Sequence, residues 1–341
     1  MDLTAWCQHL PKLELHAHLH GCIRHDTLKK LMADKTNSVP QATSIDGCFQ
    51  LFEVIHQTIT SRDHLIRIVS EVVEDFVYEN VRYLELRTTP RKFGFDFSHH
   101  DYVATIISVI ERYEAQIKVR LLLSINRNNS VSNAADIVQL ALKWKAMSRY
   151  VVGVDFSGNA SGLDSKFIKL LPVLSTARDR GLKISAHFAE HPDEIEAQEI
   201  LSFRPDRVGH ACCLSEKLYR AMTDAQLPIE VCLTSNARTM QIFEYGSCGY
   251  KKLEKHPHGE LIRNISETKY PICICTDDPG ILDTSSTIEY IRASIAFGLT
   301  FQQLYRIARG SISMIFDESE VHALEQVFDE FSALHPSGSY V

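Results

Sequence analysis

Eight short apolar runs, each bounded by turn residues, recur along the chain and alternate with longer amphipathic segments. The runs are KLELH (12–16), VRYLELR (81–87), VRLLLSI (119–125), VVGVDF (151–156), LKISAHF (182–188), RVGHA (207–211), PIEVCL (228–233) and PICICT (271–276). Between them, residues 64–81, 101–117, 134–147 and 165–181 place apolar side chains three and four apart, the spacing of a helix face. Gly181 offers a C-terminal stop for the last of these. Strands alternating with helices call for a parallel sheet, and eight is the number that closes a barrel. The expected fold is therefore α/β, a (β/α)8 TIM barrel with extra helices.

No linker or low-complexity stretch divides the chain, so 1–341 is read as a single domain. Two intervals exceed an ordinary connection. A helical insertion is expected near 40–62, around IDGCFQLFEVIHQTITS (45–61), and a long loop at YGSCGYKKLEKHPHGE (245–260). Both are candidate substrate covers. C-terminal helices are expected over 285–334, as 285–298, 301–314 and 318–334.

With 45% hydrophobic and 23% charged residues the chain can build a large core, and its net charge of −7 provides no basic field for nucleic acid or an anionic membrane. No apolar run reaches the ~18 residues of a membrane span, and MDLTAWCQHL lacks the pattern of a signal peptide, so a cytoplasmic monomer is expected. Nine scattered cysteines read as reduced thiols, with Cys212, Cys213, Cys273 and Cys275 packed as small hydrophobes.

Reactive groups of barrel enzymes come from the carboxyl ends of the strands. Here those ends are polar: LELHAHLHG (13–21) aims His16, His18 and His20 to one face, and the later runs end in RTTPR (87–91), SINR (124–127), SGN (157–159), HFAE (187–190), GH (209–210), TSN (234–236) and TDDP (276–279). Taken singly, a strand histidine is usually structural, and SGN or TSN could be a helix cap. Gathered on one rim they describe a site. A hydrolytic metal centre needs neutral imidazoles, a carboxylate and a position for water; His16, His18, His187 and Asp277 can supply the donors. Glu190, three residues after His187, can serve as proton donor, while His210 and Asp278 remain to face substrate or support the ligands.

In order and each behind a strand, HAHLHG, HFAE, GHA and TDDP resemble the adenosine deaminase family within the metal-dependent amidohydrolases. YLELRTTPRK, LLLSINR and DFSGN resemble its adenosine deaminase-like branch, whose members remove methylamine from N6-methyl-AMP. The resemblance spans about residues 11 to 315. It implies one zinc ion per subunit on His16, His18, His187 and Asp277. Glu190 would protonate purine N1, His210 would orient or deprotonate the attacking water, Asp278 would align it, and Gly158 would meet the base edge. The substrate side would be lined by His18, His20, His56, Thr88, Thr89, Pro90, Arg91, Asn126 and Asp278, with Thr88, Thr89, Arg91 and His56 toward the phosphate.

Two positions depart from the family pattern. His20 stands where adenosine deaminases usually have Asp and the nucleotide-directed branch Asn, and Asn126 stands where that branch commonly has Asp. Both changes remove negative charge near a phosphate, which favours a small purine nucleotide as partner. The expected reaction is N6-methyl-AMP and water to IMP and methylamine. The alternatives are an adenosine or 2′-deoxyadenosine deaminase and a purine-binding protein without catalysis. A binuclear amidohydrolase would usually need a lysine at the end of the fourth strand, and VVGVDFSGN has none.

Overall fold

The structure, a computed structural model, describes residues 2–32, 45–159, 166–240 and 253–335. Its eight strands are β1 Lys12–His18, β2 Val81–Thr88, β3 Lys118–Asn126, β4 Val151–Ser157, β5 Lys183–Phe188, β6 Arg207–His210, β7 Ile229–Val231 and β8 Ile272–Ile274. They form one sheet in sequence order with every neighbour pair parallel. The barrel anticipated from the eight apolar runs is thus observed.

Closure between β8 and β1 is only partly a backbone ladder. Ala17 and Asp277 form a parallel bridge, with Asp277 N–H donating to His16 O at 2.8 Å and His18 N–H to Asp277 O at 2.9 Å. Below that bridge the buried Glu14 carboxylate replaces the ladder. It accepts from His16 N–H at 2.9 Å, Thr276 N–H at 3.0 Å and the Thr276 hydroxyl at 2.8 Å. A carboxylate can satisfy several backbone donors where two strands diverge. The divergence lets His16, His18 and Asp277 turn toward one point.

The helices follow from apolar spacing and caps. In α4, Arg62–Tyr78, the buried residues Leu65, Ile68, Val69, Val72, Val73 and Phe76 make one stripe, and Ser61 caps the N-terminus by accepting from His64 N–H. A capping box of Ser98 and Asp101 starts α5, His99–Ile110. Helix α6 covers Val131–Met147; α7, Phe167–Asp179, ends before Gly181, whose φ of +81° makes it the expected stop. The expected C-terminal helices are Ser286–Phe297, Phe301–Gly310 and Val321–Leu334, with 3-10 turns at Ser311–Met314 and Glu318–Glu320.

Three boundaries differ from the periodicity reading. Residues 101–117 do not form one helix, because α5 ends at Ile110 and a 3-10 turn, Glu111–Tyr113, leads into β3. β7 stops at Val231, and Thr234, Ser235 and Asn236 lie inside the helix Leu233–Thr239 instead of capping it. β8 is confined to three residues because Thr276 is held by Glu14 and not by a strand. The helical insertion is present as α3, Ile45–Thr58. Its expected start at 40–44 and residues 245–252 of the second cover lie outside the described residues. Among the described residues, no helix is long and apolar enough to cross a membrane.

Beneath the rim the barrel is filled by a charged layer. Arg87 donates to Asp155 at 2.8 Å, to Glu230 at 2.9 Å and to Leu15 O; Arg207 joins Glu230 at 2.7 Å and also Glu85. All five side chains are essentially without solvent exposure. Ser124 and Ser185 complete the carboxylate shells of Asp155 and Glu230.

Candidate active site

The upper groups of this layer aim two imidazoles at the rim. His16 Nδ1 lies 2.7 Å from Glu230 Oε2, and His187 Nδ1 lies 3.1 Å from Phe156 O and 3.2 Å from Asp155 Oδ1. In the neutral rings that bind a metal, acceptors at both Nδ1 positions place the hydrogen there and leave a bare lone pair on Nε2. The two lone pairs face the same point as His18 Nε2, which is 3.1 Å from His187 Nε2 and 3.4 Å from Asp277 Oδ1. His16 Nε2 is 3.3 Å from Asp277 Oδ1 and otherwise unpartnered. One donor atom from each of these four residues lies within 4.8 Å of the others. Tetrahedral bonds of about 2.0–2.1 Å put donors roughly 3.3 Å apart, so the cluster fits a small divalent cation.

The sequence builds that convergence at a local cost. Asp277, His210, Ala189 and Ala211 have φ of +64°, +68°, +49° and +52°, all at strand ends around the cluster. Left-handed backbone at non-glycine residues is sparsely populated and marks places where position outweighs local preference. Two glycines give room. A Cβ on Gly209 would come within 2.5 Å of His16 Cε1, and one on Gly21 within 1.7 Å of Asp278 Oδ1.

Glu190 and His210 flank the cluster. Glu190 Oε1 is 3.5 Å from His210 Nε2, which has no hydrogen-bond partner among the described residues. Burial would raise the Glu190 carboxyl, but His210 and His187 outweigh it and hold it below its ordinary value. Burial pushes His210 down to about 4. Asp278 is half-buried, with its Oδ1 buried and unpartnered, and desolvation and the Asp277 charge raise its carboxyl well above the usual range.

A cavity of about 290 Å³ opens above these groups. Its wall includes His18, His20, His56, Thr88, Thr89, Asn126, Gly158, His187, Glu190, Asp277 and Asp278, so the structure gathers most of the expected contacts in one chamber. The buried His20 ring packs 5.1 Å from His56, and Tyr102 Oη reaches both His20 Nε2 at 3.5 Å and Thr88 Oγ1 at 2.8 Å. Asn126 Oδ1 accepts from Asn128 N–H and packs under Gly158, whose φ is +111°.

Pro90 and Arg91 are not on the wall. Arg91 instead donates to His56 O at 2.8 Å and Ile59 O at 3.2 Å, tying the end of α3 to the rim. Several wall or supporting residues were not anticipated: Phe52, Cys48 and Arg238 on the wall, and Asp155 and Glu230 below; Ser235, from the rim segment TSN, is on the wall as well. The signal for the last two was a charged residue inside an apolar strand run, VVGVDF and PIEVCL. A larger cleft of about 600 Å³ by Tyr270, Tyr305 and Glu325 lies at the other end of β8 and contains none of these groups.

The family profile described as Adenosine deaminase matches residues 11–330. An Arabidopsis thaliana protein named N6-mAMP deaminase is 34% identical across 97% of this chain and 99% of its own length. The Mus musculus N6-Methyl-AMP deaminase is 35% identical across 90% of this chain and 88% of its own. Among solved structures, an Arabidopsis protein titled ADAL complexed with GMP superposes with a TM-score of 0.86 at 35% identity, covering 97% of this chain and 100% of that one. With the barrel, the rim cluster and the matched span in agreement, the chain belongs to the adenosine deaminase family.

Proposed function

We propose that the chain is a zinc-dependent hydrolytic deaminase that converts N6-methyl-AMP and water to IMP and methylamine. The observation that carries this reading is the convergence of three imidazole nitrogens and one carboxylate oxygen beside Glu190 and His210, at the floor of a chamber of nucleotide size. The donor set of His16, His18, His187 and Asp277 would hold zinc with a position left open. When bound, the ion supplies Lewis acidity that makes water a competent nucleophile near neutral pH.

Glu190 binds at purine N1. Its carboxyl is ionised in the open chamber, and a purine that covers it raises its affinity for a proton by excluding water. Transfer of that proton to N1 draws electrons from C6, where the oxygen of water adds and the amine leaves. Asp278 and His210 orient the water, and the Gly158 backbone meets the base edge. His20, Thr88, Thr89 and His56 surround the phosphate, where a carboxylate would repel it. Relatives whose names specify N6-methyl-AMP, and a matched structure titled as a complex with IMP, support the same substrate class.

The test combines metal analysis with a panel of N6-methyl-AMP, AMP, N6-methyladenosine and adenosine. One zinc per chain and fastest turnover of N6-methyl-AMP are expected, with activity lost on chelation and restored by metal. A clear preference for adenosine overturns the nucleotide assignment, and full activity in metal-free protein overturns the metal assignment.

A further inference from the structure

His210 is backed by a buried hydrogen-bond chain whose polarity can be read from one end. The backbone N–H of His258, which can only donate, lies 3.2 Å from His256 Nδ1. With Nδ1 accepting, a neutral His256 ring carries its hydrogen on Nε2, and Nε2 lies 3.2 Å from Asn236 Oδ1. The other end of that amide, Nδ2, is 2.9 Å from His210 Nδ1. An amide nitrogen has hydrogens and no usable lone pair, so His210 Nδ1 must accept. The single hydrogen of neutral His210 then sits on Nε2.

Reversing any link would set two donors or two acceptors against each other where water cannot intervene, a cost of about 1–3 kcal/mol for each group left unsatisfied. His256, Asn236 and His210 are all buried, and burial keeps His256 neutral by pushing it well below its ordinary range. A parallel chain fixes the backbone. Tyr219 Oη lies 3.2 Å from His258 Nδ1, and His258 Nε2 donates to His210 O at 2.7 Å, at the residue whose φ is +68°.

We propose that Asn236 and His256 are positioning residues that fix the tautomer of His210, so that His210 serves the reaction as an N–H donor to the attacking oxygen and not as its base. The proposal rests on the reading of this site as a deaminase centre. A ring nitrogen that already bears hydrogen has no lone pair in the ring plane to take the proton of water. As the water O–H bond breaks and the O–C6 bond forms, the proton passes to a carboxylate of the Asp277–Asp278 pair, and the C6–N1 π electrons move to N1, which takes the proton of Glu190. His210 Nε2–H meanwhile stabilises the oxygen that is gaining negative character.

The test is 15N NMR of histidine-labelled, zinc-loaded protein, with the His210 signals identified by their loss in His210→Gln. The expected wild-type pattern is a protonated Nε2 and a bare Nδ1. In Asn236→Asp the partner of Nδ1 can only accept, so the hydrogen should move to Nδ1 and kcat on N6-methyl-AMP should fall about 10- to 100-fold with KM nearly constant. His256→Leu, which releases the amide without adding charge, should mix the two tautomers. A wild-type His210 with its hydrogen on Nδ1, in a sample that deaminates N6-methyl-AMP, overturns the proposal, as does wild-type kcat in Asn236→Asp. Absence of deamination from a sample showing the expected tautomer overturns the underlying assignment instead.

Discussion

Two polar layers are stacked in this barrel, and they treat their polar atoms in opposite ways. In the lower layer every carboxylate oxygen is occupied: Glu85 by Tyr83, Phe316 N–H and Arg207; Glu230 by Arg207, Ser185, His16 and Arg87; Asp155 by Arg87 and Ser124. In the upper layer, a few ångströms away, His16 Nε2, His210 Nε2 and Asp278 Oδ1 are buried without a hydrogen-bond partner among the described residues. Buried polar atoms left unsatisfied cost free energy; the lower layer pairs all its carboxylate oxygens and leaves only Arg87 Nε without a partner, whereas the open atoms of the upper layer converge on one point, which reserves that layer for a ligand. The lower layer belongs to stability and aiming, the upper to chemistry.

The strongest way to break that division is Arg87→Met. It removes one cation from between two buried carboxylates, and leaving a buried charge uncompensated costs about 3–5 kcal/mol. Urea unfolding of the metal-free protein is expected to show a loss of that order. A stability close to wild type would mean that the lower layer is not held by charge pairing.

Glu14 sharpens the comparison, because it is a buried carboxylate whose hydrogen-bond donors are all neutral, His16 N–H and the Thr276 pair. Burial outweighs these donors and raises its carboxyl to about 7 in the metal-free protein. A folded-state value above the unfolded one means that the native chain binds more protons between pH 4.5 and about 7. Stability should therefore fall as pH rises through that window, by roughly 3 kcal/mol in all. The measurement is unfolding free energy against pH, and Glu14→Gln should remove this component. A slope of the opposite sign in the wild type minus variant difference would place Glu14 with the fully compensated carboxylates below.

How much of this was legible in the chain follows the same division. The barrel and the upper layer could be read because their residues follow strands: HAH, HFAE, GH and TDDP each announce a strand end, and the structure brings His16, His18, His187 and Asp277 to one point. The lower layer was harder to see, because Asp155 and Glu230 are single charges inside apolar runs and Arg87 reads as the first residue of the polar strand end RTTPR, and only closure of the barrel shows that the three share its interior. The support behind His210 was less visible still. His256 and His258 lie in a segment that reads as a loop, and Asn236 reads as a cap until the helix Leu233–Thr239 is seen to enclose it.

On the upper layer the expected signature is lost turnover with retained fold. Glu190→Gln keeps the shape of the side chain but removes its exchangeable proton, so kcat on N6-methyl-AMP should fall by about 10²-fold or more, near 2.7 kcal/mol, while metal content and unfolding free energy stay unchanged. Full activity with bound metal would remove Glu190 from the chemistry. A large stability loss would instead erase the distinction between the layers.

Arg91 tests where the reserved layer ends. Its guanidinium is spent on the carbonyls of His56 and Ile59, so in this geometry it steadies the wall that His56 and His20 present and does not line the chamber itself. Arg91→Ala removes two hydrogen bonds from a half-exposed site, worth about 1 kcal/mol, and KM for N6-methyl-AMP should rise about fivefold with kcat little changed. If the arginine acts only by bracing α3, Ile45–Thr58, KM for N6-methyladenosine should rise by a similar factor. A loss confined to the phosphorylated substrate would show that Arg91 turns from those carbonyls to the phosphate, and the chemical layer would then extend one residue shell beyond the wall.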